Sequence, residues 1–412
     1  MADEGEPAPP IGGPKSRVTT SRRPPLDISS LHVDVNRPAA VISIGTKIIR
    51  SGYSGEFEPR VQALTESLLP GDDLETITTC KDAAEAIVAR LFNTIFHRHL
   101  LLLPKGTKVV IVESLFAPTK LRDLYCRVLI EQLQVAQVSF LPSALTATFP
   151  FNVKNALVVE LGASGLLVTP IHTGTTLINQ AIYSPRGYAS VVEKVRHQLG
   201  KHARIRLADG QLRATTDDDW ATDYARETAD RFAHEHSFCT SFERARSLEN
   251  PDTLQPQLPE LALDFGPHKL LVPGWLRETG YEVLFEECDG NETIPLHKAI
   301  HQTIRNCPID IRATLLENIL VCGGMGHVRG LYARLRDEVT AINAQSGTLP
   351  NAHPKFHRFD EARVEALLPW IGASMLADCD YGLKNRSISD EQWGQLKHVP
   401  DWPDHMMVER GP

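Results

Sequence analysis

Leu157 to Pro170 reads LVVELGASGLLVTP: an apolar run carrying one carboxylate, Glu160, then small residues at Gly162, Ser164 and Gly165, then a second apolar run. Apolar stretches of this length suit buried strands, and the glycines between them let the backbone turn tightly and let a ligand come close. Turns of this kind can cradle phosphate oxygens. The same order occurs once before, where Ala40 to Ser51 reads AVISIGTKIIRS with Gly45 and Thr46 at the bend. Two strand-turn-strand units far apart in one chain predict two halves built alike and facing each other across a cleft. A third stretch agrees: apolar Ile319 to Val321 runs straight into Gly323, Gly324 and Gly326, and Val328, Leu331, Leu335 and Val339 then recur at helical spacing.

At 412 residues the chain exceeds what one hydrophobic core usually serves, so more than one lobe is expected. With 42% apolar and 23% charged residues it has a globular composition, and a net charge of -8 argues against a protein built to coat nucleic acid. Its seven cysteines are scattered and never spaced CxxC, which reads as reduced thiols in a cytosolic or nuclear setting. No stretch reaches the roughly 18 apolar residues of a membrane span, and the acidic, proline-rich start lacks the apolar region of a secretory signal. An intracellular site of action is the expectation.

Between the two hairpins, Ala83 to Leu103 reads as a helix with a wide apolar face, Lys108 to Ser114 as a buried strand, the stretch opened by Pro118 as a helix, and Val138 to Leu141 as a strand. This alternation is that of an α/β lobe. Val61 to Cys80 reads as a short loop with a turn at Pro70-Gly71-Asp72-Asp73. Ser190 to about Asn291 reads as mostly helical, with basic residues at Lys194, Arg196, Lys201, Arg204 and Arg206 taken as a solvated face. His97-Arg98-His99 and His234-Glu235-His236 match no metal-ligand spacing and read as surface, and Ser389 is placed to cap a last helix. No GxxxxGK and no GxSxG is present, and Gly324, Gly326 and Gly330 miss the dinucleotide fingerprint by one residue.

Taken together, Ile42 to Arg60 (ISIGTKIIRSGYSGEFEPR), Val158 to Gly174 (VVELGASGLLVTPIHTG), Asn306 to Leu335 (NCPIDIRATLLENILVCGGMGHVRGLYARL) and Leu368 to Ala377 (LPWIGASMLA) resemble the actin family, in the family's order. The resemblance runs from about residue 40 to 398 and fades between about 200 and 300. It implies the α/β fold that actin shares with Hsp70 and the sugar kinases, with two lobes, a nucleotide cleft and duplicated strand-turn-strand cores. On that scheme 1–39 is a disordered arm; 40–62, 80–150 and 368–412 form the first lobe's core; and 63–79 is a shortened second segment. Residues 151–188 and 294–367 form the second lobe's core, and 189–293 a divergent region.

The resemblance also implies a ligand and its contacts: ATP or ADP held as a structural ligand by Gly45, Thr46, Arg50, Glu160, Gly162, Ser164, Gly165, Gly323 and Gly324, with magnesium left open. The family's metal-holding and water-orienting positions fall on Ser43, Ala163, Ser143 and Leu167, and a glycine of the first turn on Lys47, where a long side chain is expected to crowd the turn. Hydrolysis needs a carboxylate-held metal shell and an oriented water, so a degenerate ATPase site without turnover is expected. The family's inter-subunit loop has no counterpart in the short 61–80 stretch. The resemblance therefore implies a non-polymerising structural subunit, capping the pointed end of the short actin-related filament of dynactin. Its partners would be filament and pointed-end subunits, with dynein and cargo adaptors reached indirectly, in the cytoplasmic cytoskeleton, and with neither nucleic acid nor a membrane span. A nuclear subunit of a chromatin-remodelling complex and a live ATPase of the same superfamily are the alternatives.

Overall fold

The order of elements already separates two sheets. The computed structural model describes residues 38–69, 77, 83–248, 257–287, 293–349, 352–361, 363–379, 383 and 386–400. In chain order come β1 (Ala40–Ile44), β2 (Ile48–Tyr53), β3 (Val61–Leu64), α1 (Ala84–Thr94), β4 (Lys108–Glu113), α2 (Thr119–Cys126), β5 (Gln137–Pro142) and the short helix α3 (Ser143–Thr146). The second hairpin follows as β6 (Ala156–Leu161) and β7 (Leu166–His172), then β8 (Thr175–Thr176), β9 (Ile182–Ser184) and α4 (Tyr188–His202). Next are β10 (Arg204–Arg206), β11 (Leu212–Ala214), α5 (Asp223–Arg231), β12 (Leu261–Phe265), β13 (His268–Val272), α6 (Leu296–Asn306) and α7 (Ile309–Leu316). The chain closes with β14 (Ile319–Cys322), α8 (Leu331–Ser346), β15 (Phe356–His357), α9 (Val364–Asp378), β16 (Ser387–Ser389) and α10 (Asp390–Leu396).

The first sheet has the order β16-β5-β4-β1-β2-β3, and the second β15-β14-β6-β7-β8 with β9 also on β7. Each is seeded by one of the two hairpins, β1 antiparallel to β2 and β6 antiparallel to β7, and each hairpin's first strand pairs in parallel with a later strand, β4 or β14. These are mixed α/β sheets of the actin-like class.

Strand alternation sorts side chains onto two faces. Ala40, Ile42 and Ile49 pack outward against α1 and α2, and Leu157, Val159 and Leu161 pack outward in the other lobe. Val41, Val110 and Val112 of the first sheet and Val158, Leu320 and Cys322 of the second share a third cluster with α3 and α9. This shared core joins the lobes. Within it α9 lies so close to α3 that a Cβ on Gly372 would sit 1.8 Å from the Thr146 carbonyl oxygen, and Trp370 Nε1 donates to the Val41 carbonyl at 3.1 Å.

Four local expectations are revised. The first long helix stops at Thr94, passes through a π turn at Ile95–His99, and ends before Leu101, whose φ of 50° takes the chain away from helix ahead of Pro104. Val61–Leu64 is a strand on β2 rather than loop. The region after Ser190 is not mostly helical: β10 to β13 form a four-stranded antiparallel sheet ordered β11-β10-β13-β12, which places Arg204 and Arg206 on a strand. It is built from two local hairpins, β10–β11 and β12–β13, joined by the long-range pairing of β10 with β13, and strands this short give weak periodicity. The helix after the third glycine turn starts at Leu331 and excludes Val328, because Gly330 at φ 85° marks its beginning. The Ser389 cap is present, with Ser389 accepting from Gln392 N at 3.2 Å and Gln392 Oε1 accepting from Ser389 N at 3.0 Å. The arm (1–37), the turn at Pro70 and the tail from 401 lie outside the described residues.

Candidate functional site

The two hairpin turns meet. Thr46 Oγ1 and Ser164 Oγ are 3.5 Å apart although 118 residues separate them in sequence. Below the turns the facing sides of the two sheets carry the site's polar groups. Ser43 lies opposite Arg50, and Arg50 opposite Gln62, on the same face as Val41, which looks toward the second sheet. Arg50 Nε donates to Gln62 Oε1 at 3.3 Å, and burial lowers the guanidinium's pKa from its usual value. On the second sheet Glu160 follows Val158 on the inner face, with Leu167 directly opposite on β7 and Cys322 on β14.

Glu160 is half-buried as a residue, but its Oε2 is sealed from solvent and has no hydrogen-bond partner. Its other oxygen accepts from Ser143 Oγ at 2.5 Å. Desolvation raises the carboxyl's pKa to about 7, against a smaller opposing effect of the Ser143 hydrogen bond. Burial also pushes the Cys322 thiol well up, with the Glu160 charge adding to it.

The glycines serve different ends. Gly323 has φ 95°, and a Cβ there would stand 2.4 Å from the Leu161 carbonyl, so the protein's own backbone requires glycine. Gly45, Gly162 and Gly165 are likewise hemmed in by Ile48 O, Gly165 O and the Tyr183 ring. Gly324 alone of the proposed set faces open space, with nothing within 4 Å of its would-be Cβ. It opens onto a cavity of about 200 Å³ lined also by Tyr188, His234, Arg277, Tyr281, His327 and Arg329. Sequence spacing does not reveal this cavity. The His234-Glu235-His236 stretch, read as surface, has His234 and Glu235 exposed and also forms one wall of this cavity, where the His327 ring stands 6.1 Å from that of His234. Burial, with His234 beside it, lowers the His327 pKa.

Lys47 does not crowd the first turn. Its side chain crosses to the second lobe, where Nζ lies 2.5 Å from Asp230 Oδ1 on α5 and 4.4 Å from the centre of the Tyr188 ring at the start of α4.

This donor set fits phosphate. Thr46, Ser164 and Arg50 offer two hydroxyls and a guanidinium on the cleft side. Glu160 is a carboxylate on the inner face of the second hairpin, and magnesium bound with a nucleotide keeps several waters and takes one or two carboxylates beside the phosphates. Among the described residues no three His, Cys, Asp or Glu side chains group to hold a metal ion.

Two mixed sheets, each seeded by a like hairpin and meeting at the hairpin turns, define a two-lobed α/β class of fold. The actin family profile matches residues 81–395, and the chain belongs to the actin family. It is 24% identical over 335 residues to "Actin-related protein 4" of Oryza sativa subsp. indica, covering 74% of each chain. Over 333 residues it is 22% identical to "SWI/SNF and RSC complexes subunit arp42" of Schizosaccharomyces pombe, covering 71% of this chain and 75% of that protein. Similarity to "Actin-related protein 10" of Dictyostelium discoideum reaches 26% over 194 residues, 40% of each chain. Among the described residues no helix is long and apolar enough to cross a membrane.

Proposed function

We propose that the chain is a catalytically silent actin-related subunit that serves as a structural part of a larger assembly and holds ATP or ADP without turning it over. The observation that carries this reading is the setting of Glu160: its carboxyl accepts from Ser143 Oγ at 2.5 Å, and Leu167 stands opposite. Leucine cannot orient an attacking water by hydrogen bonding, and the short Ser143 hydroxyl is already turned to Glu160. Thr46, Ser164 and Arg50 would hold the phosphates, and the cavity beside Gly324 would take the nucleoside end. When bound, the nucleotide supplies a contact to both hairpins that stabilises the closed form. Purified chain should release no phosphate from ATP above background; release that Glu160→Ala abolishes would overturn the proposal.

Within that class we place the chain at the pointed end of dynactin's actin-related filament, as a capping subunit supporting dynein-based transport in the cytoplasm. Support comes from the short stretch between β3 and α1 and from the partial similarity to actin-related protein 10. A second reading, a nuclear chromatin-remodelling subunit, draws on the broader coverage of actin-related protein 4 and of the SWI/SNF and RSC subunit. Mass spectrometry of proteins co-purifying with the tagged full chain separates them. Dynein-linked partners favour the first, and a remodeller helicase would overturn it in favour of the second.

A further inference from the structure

We infer that Lys47 is a clasp built into the chain: its ammonium, seated between the Asp230 carboxylate and the Tyr188 ring, holds the first hairpin to the second lobe and keeps the cleft closed with no nucleotide bound. The inference rests on the structural, non-catalytic reading above and deepens it.

Three features carry it. First, the receptor for Lys47 is tied to the second turn. Tyr188 N donates to Gly162 O at 3.0 Å, Ala189 N to Ala163 O at 2.9 Å, and Tyr188 Oη to Asp230 O at 3.1 Å, so the two partners of the ammonium are bonded to each other and to the hairpin they represent. A cation held by both a carboxylate and an aromatic face has two attractions that a bare turn lacks.

Second, the clasp sits where leverage is greatest. The lobes are joined through the shared core around Val41, Val158 and Gly372, which reaches up the strands to Val112 beside Ser43 and Cys322 beside Glu160. Lys47 lies beyond the end of β1, in the turn above that core. A contact at the tip of the hairpin resists opening more effectively than one beside the joint. The Thr46–Ser164 contact lies in the adjacent position and closes with it. The resemblance puts glycine at position 47, and glycine has no side chain with which to make the crossing.

Third, the receptor borders the candidate site: Tyr188, whose ring lies under the Lys47 ammonium, also lines the cavity beside Gly324.

Hydrogen exchange on the full chain, stripped of nucleotide by apyrase and dialysis, tests this. Peptides covering 161–167 and 323–330 report the cleft, and a peptide across β4 reports the fold. Lys47→Met, which removes both attractions, should speed cleft exchange about fivefold, and Asp230→Asn, which leaves the cation over Tyr188, about threefold, while β4 stays unchanged. The double variant should match Lys47→Met, because the ion pair is already lost there. Changes under about twofold, or a double variant whose effect is the product of the singles, would overturn the clasp. ATP added without metal to Lys47→Met should restore protection. Failure of ATP to protect, with both variants still opening the cleft, would refute nucleotide holding and leave the clasp supported.

Discussion

Replacing Glu160 by glutamine makes the chain more stable at alkaline pH and nearly unchanged at acid pH. In the folded protein the carboxyl's pKa stands at about 7, against 4.5 for the free group. A raised carboxyl pKa means that the folded state binds the proton more tightly. Its contribution is fully present below pH 4.5 and is lost as pH rises through 7. Each pH unit between the free and the folded value is worth about 1.4 kcal/mol, so the penalty is roughly 1 kcal/mol at pH 5, 2 at pH 6 and 3 at pH 8. Glutamine is neutral throughout and can accept the same hydrogen bond from Ser143 Oγ, while its amide meets the unpartnered surroundings of Oε2 at every pH. Urea unfolding of both proteins at pH 5, 6, 7 and 8 measures the difference directly, since midpoints compare at a common m-value. The wild type should lose about 2 kcal/mol relative to Glu160→Gln between pH 5 and pH 8. Parallel profiles would refute the reasoning. They would mean that Glu160 is ionised at neutral pH in the folded chain.

Gly372→Ala forces a methyl to within 1.8 Å of the Thr146 carbonyl in the joint between the lobes, so the urea midpoint should fall by an equivalent of at least about 3 kcal/mol, or the protein should not fold. Glu282→Ala leaves the buried Arg334, held at 2.9 Å by both Glu282 oxygens, with only Glu338 as carboxylate partner, and should cost about 3 kcal/mol in the same assay. Ser389→Ala removes the acceptor for Gln392 N, which is half of the capping box on α10, a loss of about 1 kcal/mol readable by thermal melting.

Much of the frame is legible because its signals are local. Apolar runs around Gly162 and Gly45 mark hairpins whatever lies elsewhere, and Ser389 followed by Gln392 is a cap on its own terms. The small residues of Leu368 to Ala377 announce close helix packing, and Gly372 against Thr146 is that packing. What the sequence hides is non-local. The strands β10 to β13 are three to five residues long, and the pairing that joins their two hairpins into one sheet sets Leu271 beside Arg204, 67 positions away. Periodicity overextends the first helix because Leu100 to Leu103 continues its apolar pattern, while Pro104 and the left-handed Leu101 end it.

The site is harder still, since its character depends on pairings that no window of sequence contains. Thr46 and Arg50 can be named from the turn they occupy, but the sequence does not tell that Arg50 faces Gln62, or that the Glu160 carboxyl is sealed against Ser143. Lys47 shows why. By position it is an obstruction, a long side chain where the turn has little room. Its role follows from Asp230, 183 residues on, and from Tyr188, which the second turn holds in place. A residue that departs from a family's pattern is therefore weak grounds for inferring only a loss. In this chain the departures at Leu167 and Lys47 act in opposite directions, one removing a group that could orient water, the other adding a bond across the cleft where the pattern has none. A chain that holds its nucleotide without turnover, as proposed above, would have less need for lobes that open, and Lys47 is the residue whose replacement tells whether they still do.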